Sequence, residues 1–118
     1  MKIEKIHEDQ RGAIYRILFS GKEFLLVSTN KGYSRGGDFH ESMQHDVVLS
    51  GKVNYIVRQE GRDNVMTLKS GHIIHIEAGS PHMWTALEDS LIVEWLAGEF
   101  EKKYFDMYRK IVEEKLNV

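Results

Sequence analysis

The chain has 118 residues, 42% of them hydrophobic, and its 16 basic and 18 acidic side chains leave a formal net charge of −2. This length supports one domain around one core and excludes a second domain with a linker. The basic residues are scattered rather than gathered into a nucleic-acid-binding stripe. The absence of cysteine excludes disulfides and thiolate metal sites.

Taken in order, the first ten residues, Met1 to Gln10, carry no apolar stretch of signal-peptide type. No later run reaches membrane-spanning length. A cytoplasmic protein with no membrane and no nucleic-acid partner is expected. Ala13 to Phe19 and Glu23 to Thr29 read as strands joined by the turn Ser20-Gly21-Lys22. The glycine-rich segment Tyr33 to Gly37 follows. Asp46 to Ser50, Lys52 to Arg58, Val65 to Leu68, Ile73 to Ile76 and Leu91 to Trp95 complete the strands. Gln59 to Asn64 is a hairpin signal. Short strands at near-regular spacing, with turns between them, predict a β-sandwich or barrel. From Glu99 to Leu116 there is no Gly or Pro, and Phe100, Tyr104, Tyr108, Ile111, Val112 and Lys115 recur at helical spacing. The expectation is an all-β domain spanning residues 1–118, with a barrel over about residues 1–97 and a helix over residues 99–116 laid on its wall.

Chemistry concentrates in two glycine-framed histidine segments. The first runs Gly37-Asp38-Phe39-His40-Glu41-Ser42-Met43-Gln44 and closes at Gly51. The second runs from Gly71 through His75, Glu77 and Gly79 to His82. Strand alternation puts Asp38 and His40 on one face, with Gln44 in phase, and His82 on a face with Trp84. If the barrel interior gathers Asp38, His40, Gln44 and His82, two histidines and a carboxylate form the open facial arrangement used by non-haem Fe(II) and related ions. The competing reading is a set of buried, hydrogen-bonded histidines with Asp38–His40 as a structural pair. His45 is expected to face outward. His72 and His75 lie on opposite faces of their strand, so one of them at most lines the cavity. His7 belongs to the surface.

These two segments resemble the paired motifs of the cupin superfamily, small jelly-roll-like β-barrels. Asp38 stands where the first histidine of the first motif belongs. His40 matches the second histidine, Gln44 takes the glutamate position and Gly51 closes the motif. In the second motif Gly71, Gly79 and His82 match, while Glu77 replaces a proline and Ala86 an asparagine. The resemblance, over about Tyr33 to Trp95, implies a cupin barrel holding a divalent metal (Fe, Mn, Ni or Zn) at Asp38, His40, Gln44 and His82. It further implies a small-molecule ligand or substrate, and a homodimer. The strands near Ile3 to Ile6 and Ile14 to Phe19 are the expected pairing elements, because open barrels leave edges that need cover.

A second branch of the same superfamily is also resembled. Asp9-Gln10-Arg11-Gly12 and Arg35-Gly36-Gly37 are similar to segments of sugar-nucleotide epimerases and ketoisomerases, in which a barrel histidine acts as base without metal. The preferred alternative at Arg11 is a turn with an exposed guanidinium. A non-catalytic binding module is the third reading. Glu94, a carboxylate in the apolar run Leu91 to Trp95, is either an interior acid or base or an outward residue on a half-exposed strand. Trp84 and Tyr55 are candidates for the cavity wall.

Overall fold

The period-two alternation produces the barrel. The computed structural model describes residues 1–116. Its strands are β1 (Lys2–Asp9), β2 (Gly12–Phe19), β3 (Lys22–Thr29), β4 (Ser34–Phe39), β5 (Gln44–Ser50), β6 (Lys52–Gln59), β7 (Arg62–Lys69), β8 (Ile73–Ile76), β9 (His82–Ala86), β10 (Ser90–Leu96) and β11 (Lys103–Tyr104), followed by helix α1 (Asp106–Leu116). On β6, Val53, Tyr55 and Val57 are buried and the residues between them are not. Their inward face meets Val27, Val48, Ile76 and Ile92 in one core, each such side chain contributing about 1.5–3 kcal/mol when fully buried.

Two antiparallel sheets form the walls. One has the order β1-β2-β3-β10-β5-β8 and the other β11-β4-β9-β6-β7. The expected hairpin after Gln59 is a two-residue turn at Glu60-Gly61, both at positive φ, the geometry that matches strand twist. β7 begins at Arg62 and so starts earlier than its apolar run suggests. Among the described residues no helix is long and apolar enough to cross a membrane.

The C-terminal helix is shorter than the expected span of residues 99–116. It starts at Asp106, and the preceding residues are extended. Their backbone is engaged elsewhere: Lys103 and Tyr104 pair with Phe39 and Asp38, and the Phe105 N–H donates to the Gly37 carbonyl (2.8 Å). A helix through this stretch would forfeit those bonds. The helical spacing of Phe100 and Tyr104 is real in the sequence, but both side chains line the mouth of the barrel cavity instead.

Helix α1 does lie on the barrel wall. Tyr108 and Val112 are buried against Met83, with Ile56 and Phe105 beside them. This explains why β9 is buried on both faces: His82, Trp84 and Ala86 point inward while Met83 sits under the helix. The Tyr108 hydroxyl donates to Asp63, which also accepts from Arg58 (2.8 Å).

One irregularity positions the site. The β4–β9 register shifts between Gly36 and Asp38: Gly36 opposes Met83 and Asp38 opposes His82, leaving Gly37 as the extra residue of a β-bulge. Gly36 and Gly37 have φ of +91° and +81°, which only glycine adopts without strain. Helix α1 passes directly over this point, since a Cβ on Gly37 would stand 2.7 Å from Arg109 Cα.

Gly37→Ala therefore faces both a strained backbone and a collision with the helix. It is expected to cost about 2–4 kcal/mol. Gly61→Ala, at φ +72° with nothing within 4 Å, incurs backbone strain alone, about 1 kcal/mol. Equilibrium urea denaturation of both variants checks this. Equal losses would show that α1 does not bear on the bulge.

Candidate metal centre

Asp38, His40 and His82 converge at one end of the barrel. They are 8%, 6% and 2% exposed, and one ligand atom from each lies within 4.8 Å of the other two. Asp38 and His82 are direct cross-strand neighbours on β4 and β9. His40 follows β4 immediately and is clamped there, its carbonyl accepting from the Gly79 N–H (2.7 Å). Asp38 Oδ1 stands 3.3 Å from His82 Nε2 and 3.7 Å from His40 Nε2. Two ligands each about 2.1 Å from a shared ion would be about 3.0 Å apart at a right angle and about 3.4 Å apart at a tetrahedral angle. The spacing suits an ion held between them.

The backbone decides which nitrogens face the centre. His40 Nδ1 lies 2.6 Å from the Glu101 carbonyl and His82 Nδ1 lies 3.0 Å from the Ser80 carbonyl. A carbonyl only accepts, so each Nδ1 carries a proton and donates it. In the neutral ring the lone pair is then on Nε2, and both Nε2 atoms face Asp38. Three lone-pair atoms aimed at one another repel unless a proton or a metal cation stands among them. Carbonyl acceptors behind ligating histidines are the usual support of such sites. The residues present therefore fit a divalent cation.

Gln44 sits deeper, 1% exposed on β5. Its Nε2 donates to Asp46 Oδ1 and Glu94 Oε1, both at 3.0 Å, and its Oε1 is buried without a protein partner. Glu94 points into the barrel and lines the cavity, which resolves the alternative left open for it. Asp46 opposes Glu94 across β5 and β10 and was not anticipated as part of the site. The signal was there: Gln44, Asp46 and Val48 alternate, so Asp46 shares the inward face. Tyr55 is fully buried in the core, and its hydroxyl donates to Asp46 Oδ2 (2.5 Å).

Asp46 is buried and Glu94 half-buried, and two carboxylates directly opposite each other in such a place cannot both ionise cheaply. Burial, then the charges of Asp46 and Asp38, push Glu94 well above the usual carboxylate range. Burial also raises Asp46, against the hydrogen bonds from Tyr55 and Gln44. Tyr55 is raised as well, by burial first and then by the charge of Asp46.

The cavity has a volume of about 490 Å³ and opens past the strand and loop of residues 100–104. Trp84 lines it, as expected. The preferred reading of Arg11 as an exposed turn residue is corrected: Arg11 is 8% exposed and faces the cavity. Asp9 draws it inward, accepting from Arg11 Nε (3.1 Å) and Nη2 (2.8 Å). Burial disfavours the Asp9 charge, but the bonds from Arg11 and His7 prevail and hold its carboxyl well below the usual range. His7 is at the surface beside the cavity mouth. His45 is on the outer face as expected, and it meets His75 there, Nδ1 to Nδ1, at 2.6 Å. His72 and His75 are both exposed, and neither lines the cavity.

With this geometry in hand, the class is defined by the fold: the chain adopts the cupin barrel. No protein-family model and no curated protein sequence matches it. Three solved structures resemble it closely in shape. The capsular polysaccharide assembling protein CapF from Staphylococcus aureus superimposes with a TM-score of 0.70 at 17% identity, over 86% of this chain and 30% of CapF. Oxalate decarboxylase of Bacillus subtilis, described with Mn(II) centres, gives 0.71 at 17% identity, over 84% and 28%. Hydroxypropylphosphonic acid epoxidase from S. wedmorenis gives 0.66 at 13% identity, over 79% and 54%. The chain thus spans between about a quarter and about half of the length of these molecules, and the shared feature is the fold.

The carboxyl pair predicts a pH effect on stability. Folded Glu94 holds its proton more tightly than unfolded Glu94. It therefore withdraws stability as pH rises from its ordinary value of 4.5 toward the raised one. Glu94→Gln keeps an acceptor for Gln44 and a donor for Asp46 but cannot ionise. Its stability relative to the wild type should rise steadily from about pH 4.5 to neutrality. Denaturation midpoints at four pH values check this, and a constant difference would show that Glu94 ionises freely in the fold.

Proposed function

We propose that this chain is a metal-binding cupin-fold protein that takes a small polar molecule into its barrel. Asp38, His40 and His82 are the proposed metal ligands. Gln44 is the proposed supporting group, its unpartnered Oε1 the buried acceptor nearest in kind to the glutamate of the cupin motif. The observation that carries the reading is the pair of carbonyl-bound Nδ1 atoms, which leaves two Nε2 lone pairs aimed at a carboxylate. A neighbour of the same fold has Mn(II) centres, which supports a divalent ion such as Fe, Mn, Ni or Zn. Such an ion would supply Lewis acidity or oxygen chemistry in this position. The chain's own residues do the rest: Trp84 and residues 100–104 restrict water, and Glu94 presents a carboxyl to the cavity.

The test is calorimetry with Fe(II), Mn(II), Ni(II) and Zn(II) on protein prepared without chelator or nickel resin. Wild type is expected to bind at least one of them. His82→Ala and Asp38→Asn should each lower affinity by about 10–100-fold or more, with the circular dichroism of a β protein retained. Binding should weaken as pH falls, because protons compete for the ligand nitrogens. Absence of binding by all four ions rejects the metal reading.

A second reading is favoured by one observation, the burial of Arg11 at the cavity wall. A metal-free isomerase or epimerase of a sugar nucleotide would use His40 or His82 as base and arginine for the diphosphate. CapF, a capsular polysaccharide assembling protein, is consistent with carbohydrate chemistry on this fold. Turnover without metal would select this reading.

Assembly as a homodimer is part of the proposal. β1 is the open edge of its sheet, and Ile3, Ile6 and Phe19 are 55%, 46% and 56% exposed. Pairing of β1 with a second copy covers that edge. Light scattering should give twice the 13.7 kDa chain mass. Ile3→Lys with Phe19→Lys should restore the monomer, and a monomeric wild type at high concentration rejects this assembly.

A further inference from the structure

The bulge at Gly37 has a chemical consequence on the other side of β4. Without it, Arg35 and Asp38, three residues apart, would point to opposite faces. With it, Arg35 opposes Trp84 and Asp38 opposes His82, and all four line the same cavity. A guanidinium and the proposed metal centre thus share one wall.

Arg35 is 5% exposed, and among the described residues its charge has no direct ion pair. Nε donates to the Thr29 hydroxyl and Nη2 to the Ser28 carbonyl, both at 3.0 Å and both neutral acceptors. Nη1 has no partner. Of the two carboxyl groups whose charge reaches it, Asp9 is paired with Arg11, and burial holds Glu94 well above the usual carboxylate range. Burial, then the charge of Arg11, pull the Arg35 guanidinium down to about 10, so it remains a cation at neutral pH. A desolvated cation with a spare donor is costly in isolation. It becomes favourable when an anion completes it, and Arg binds carboxylates through just such a planar fork.

We infer that Arg35 binds the carboxylate of a small organic acid whose other polar end reaches the Asp38–His40–His82 centre. This deepens the proposed function and rests on its reading of cavity and triad as one site. The charge balance selects the ligand class. Asp9 neutralises Arg11, which leaves Arg35 as the arginine charge without an ion pair, and Asp38 and Glu94 on the same cavity leave no surplus for a multiply charged anion. A monocarboxylate suits this field, while a diphosphate would add charge against those acids. Ile14, Leu25 and Val27 supply an apolar wall for the body of the acid, and about 490 Å³ holds a small molecule.

Lactate is the probe, titrated into chelator-treated, metal-free protein and followed by calorimetry and by tryptophan fluorescence, to which Trp84 at the cavity and Trp95 on the outer face both contribute. Saturable binding at millimolar lactate is expected. Arg35→Gln should weaken it by about tenfold or more, and Arg35→Lys should recover part of the loss. Because this titration uses metal-free protein, lactate binding is read independently of any metal binding. Arg35→Gln should in turn leave metal affinity in place, so the two readings fail separately. In wild type, the Arg35 Nε–H resonance should move on lactate addition, a readout that needs no variant. No saturable lactate binding, an unmoved resonance, or pyrophosphate binding tighter than lactate would each overturn the inference.

Discussion

A single extra residue in strand β4 sets most of what is distinctive in this barrel. Gly37 breaks the period-two alternation at the point where β4 runs between β9 and helix α1. Its missing side chain lets the helix backbone approach, and its positive φ turns the strand. The same shift puts Arg35 and Asp38 on one wall and brings Asp38 opposite His82. Packing on the outside of the sheet and chemistry on the inside are therefore linked through one backbone irregularity, a role bulges often play beside functional sites.

The interior divides into two environments. At one end Val27, Val48, Val53 and Ile92 exclude water, and the barrel owes its stability to that burial. Toward the other end the inward positions become polar: Gln44 and Asp46 on β5, Glu94 on β10, His82 on β9. Each of these groups would be expensive alone. Together they form a connected set, in which Tyr55 holds Asp46, Gln44 bridges Asp46 to Glu94, and weakened carboxyl acidities keep charge from accumulating. The low-dielectric end sharpens the electrostatics of the polar end.

The segment from residue 99 to residue 105 joins these parts. It passes over the mouth, pairs with β4 and presents the Glu101 carbonyl to His40. The Glu101 side chain also accepts from the Glu41 N–H (2.6 Å). The lining of the cavity and the orientation of His40 thus come from the same few residues, and α1 anchors them through Tyr108 and Val112.

The sequence by itself determined the barrel, because alternation of apolar residues and turn glycines are local signals. Val53, Tyr55 and Val57 could face only one way, and Glu60-Gly61 could only turn. It also determined that Asp38, His40 and His82 belong together, since two glycine-framed segments carry them in phase. Tertiary structure alone decided the rest. Residues 99–105 have helical periodicity, yet backbone partners on β4 outbid the helix, and no local pattern reveals such partners. Arg11 sits in a turn-like run, but Asp9 and the cavity wall draw it inside. Asp46 and Glu94 are 48 residues apart in the chain and meet only because β5 and β10 pair. The histidine tautomers depend on two carbonyls, from Ser80 and Glu101, whose placement is a property of the folded chain. Periodicity specifies which face a residue is on; what it meets there depends on pairings that are distant in sequence.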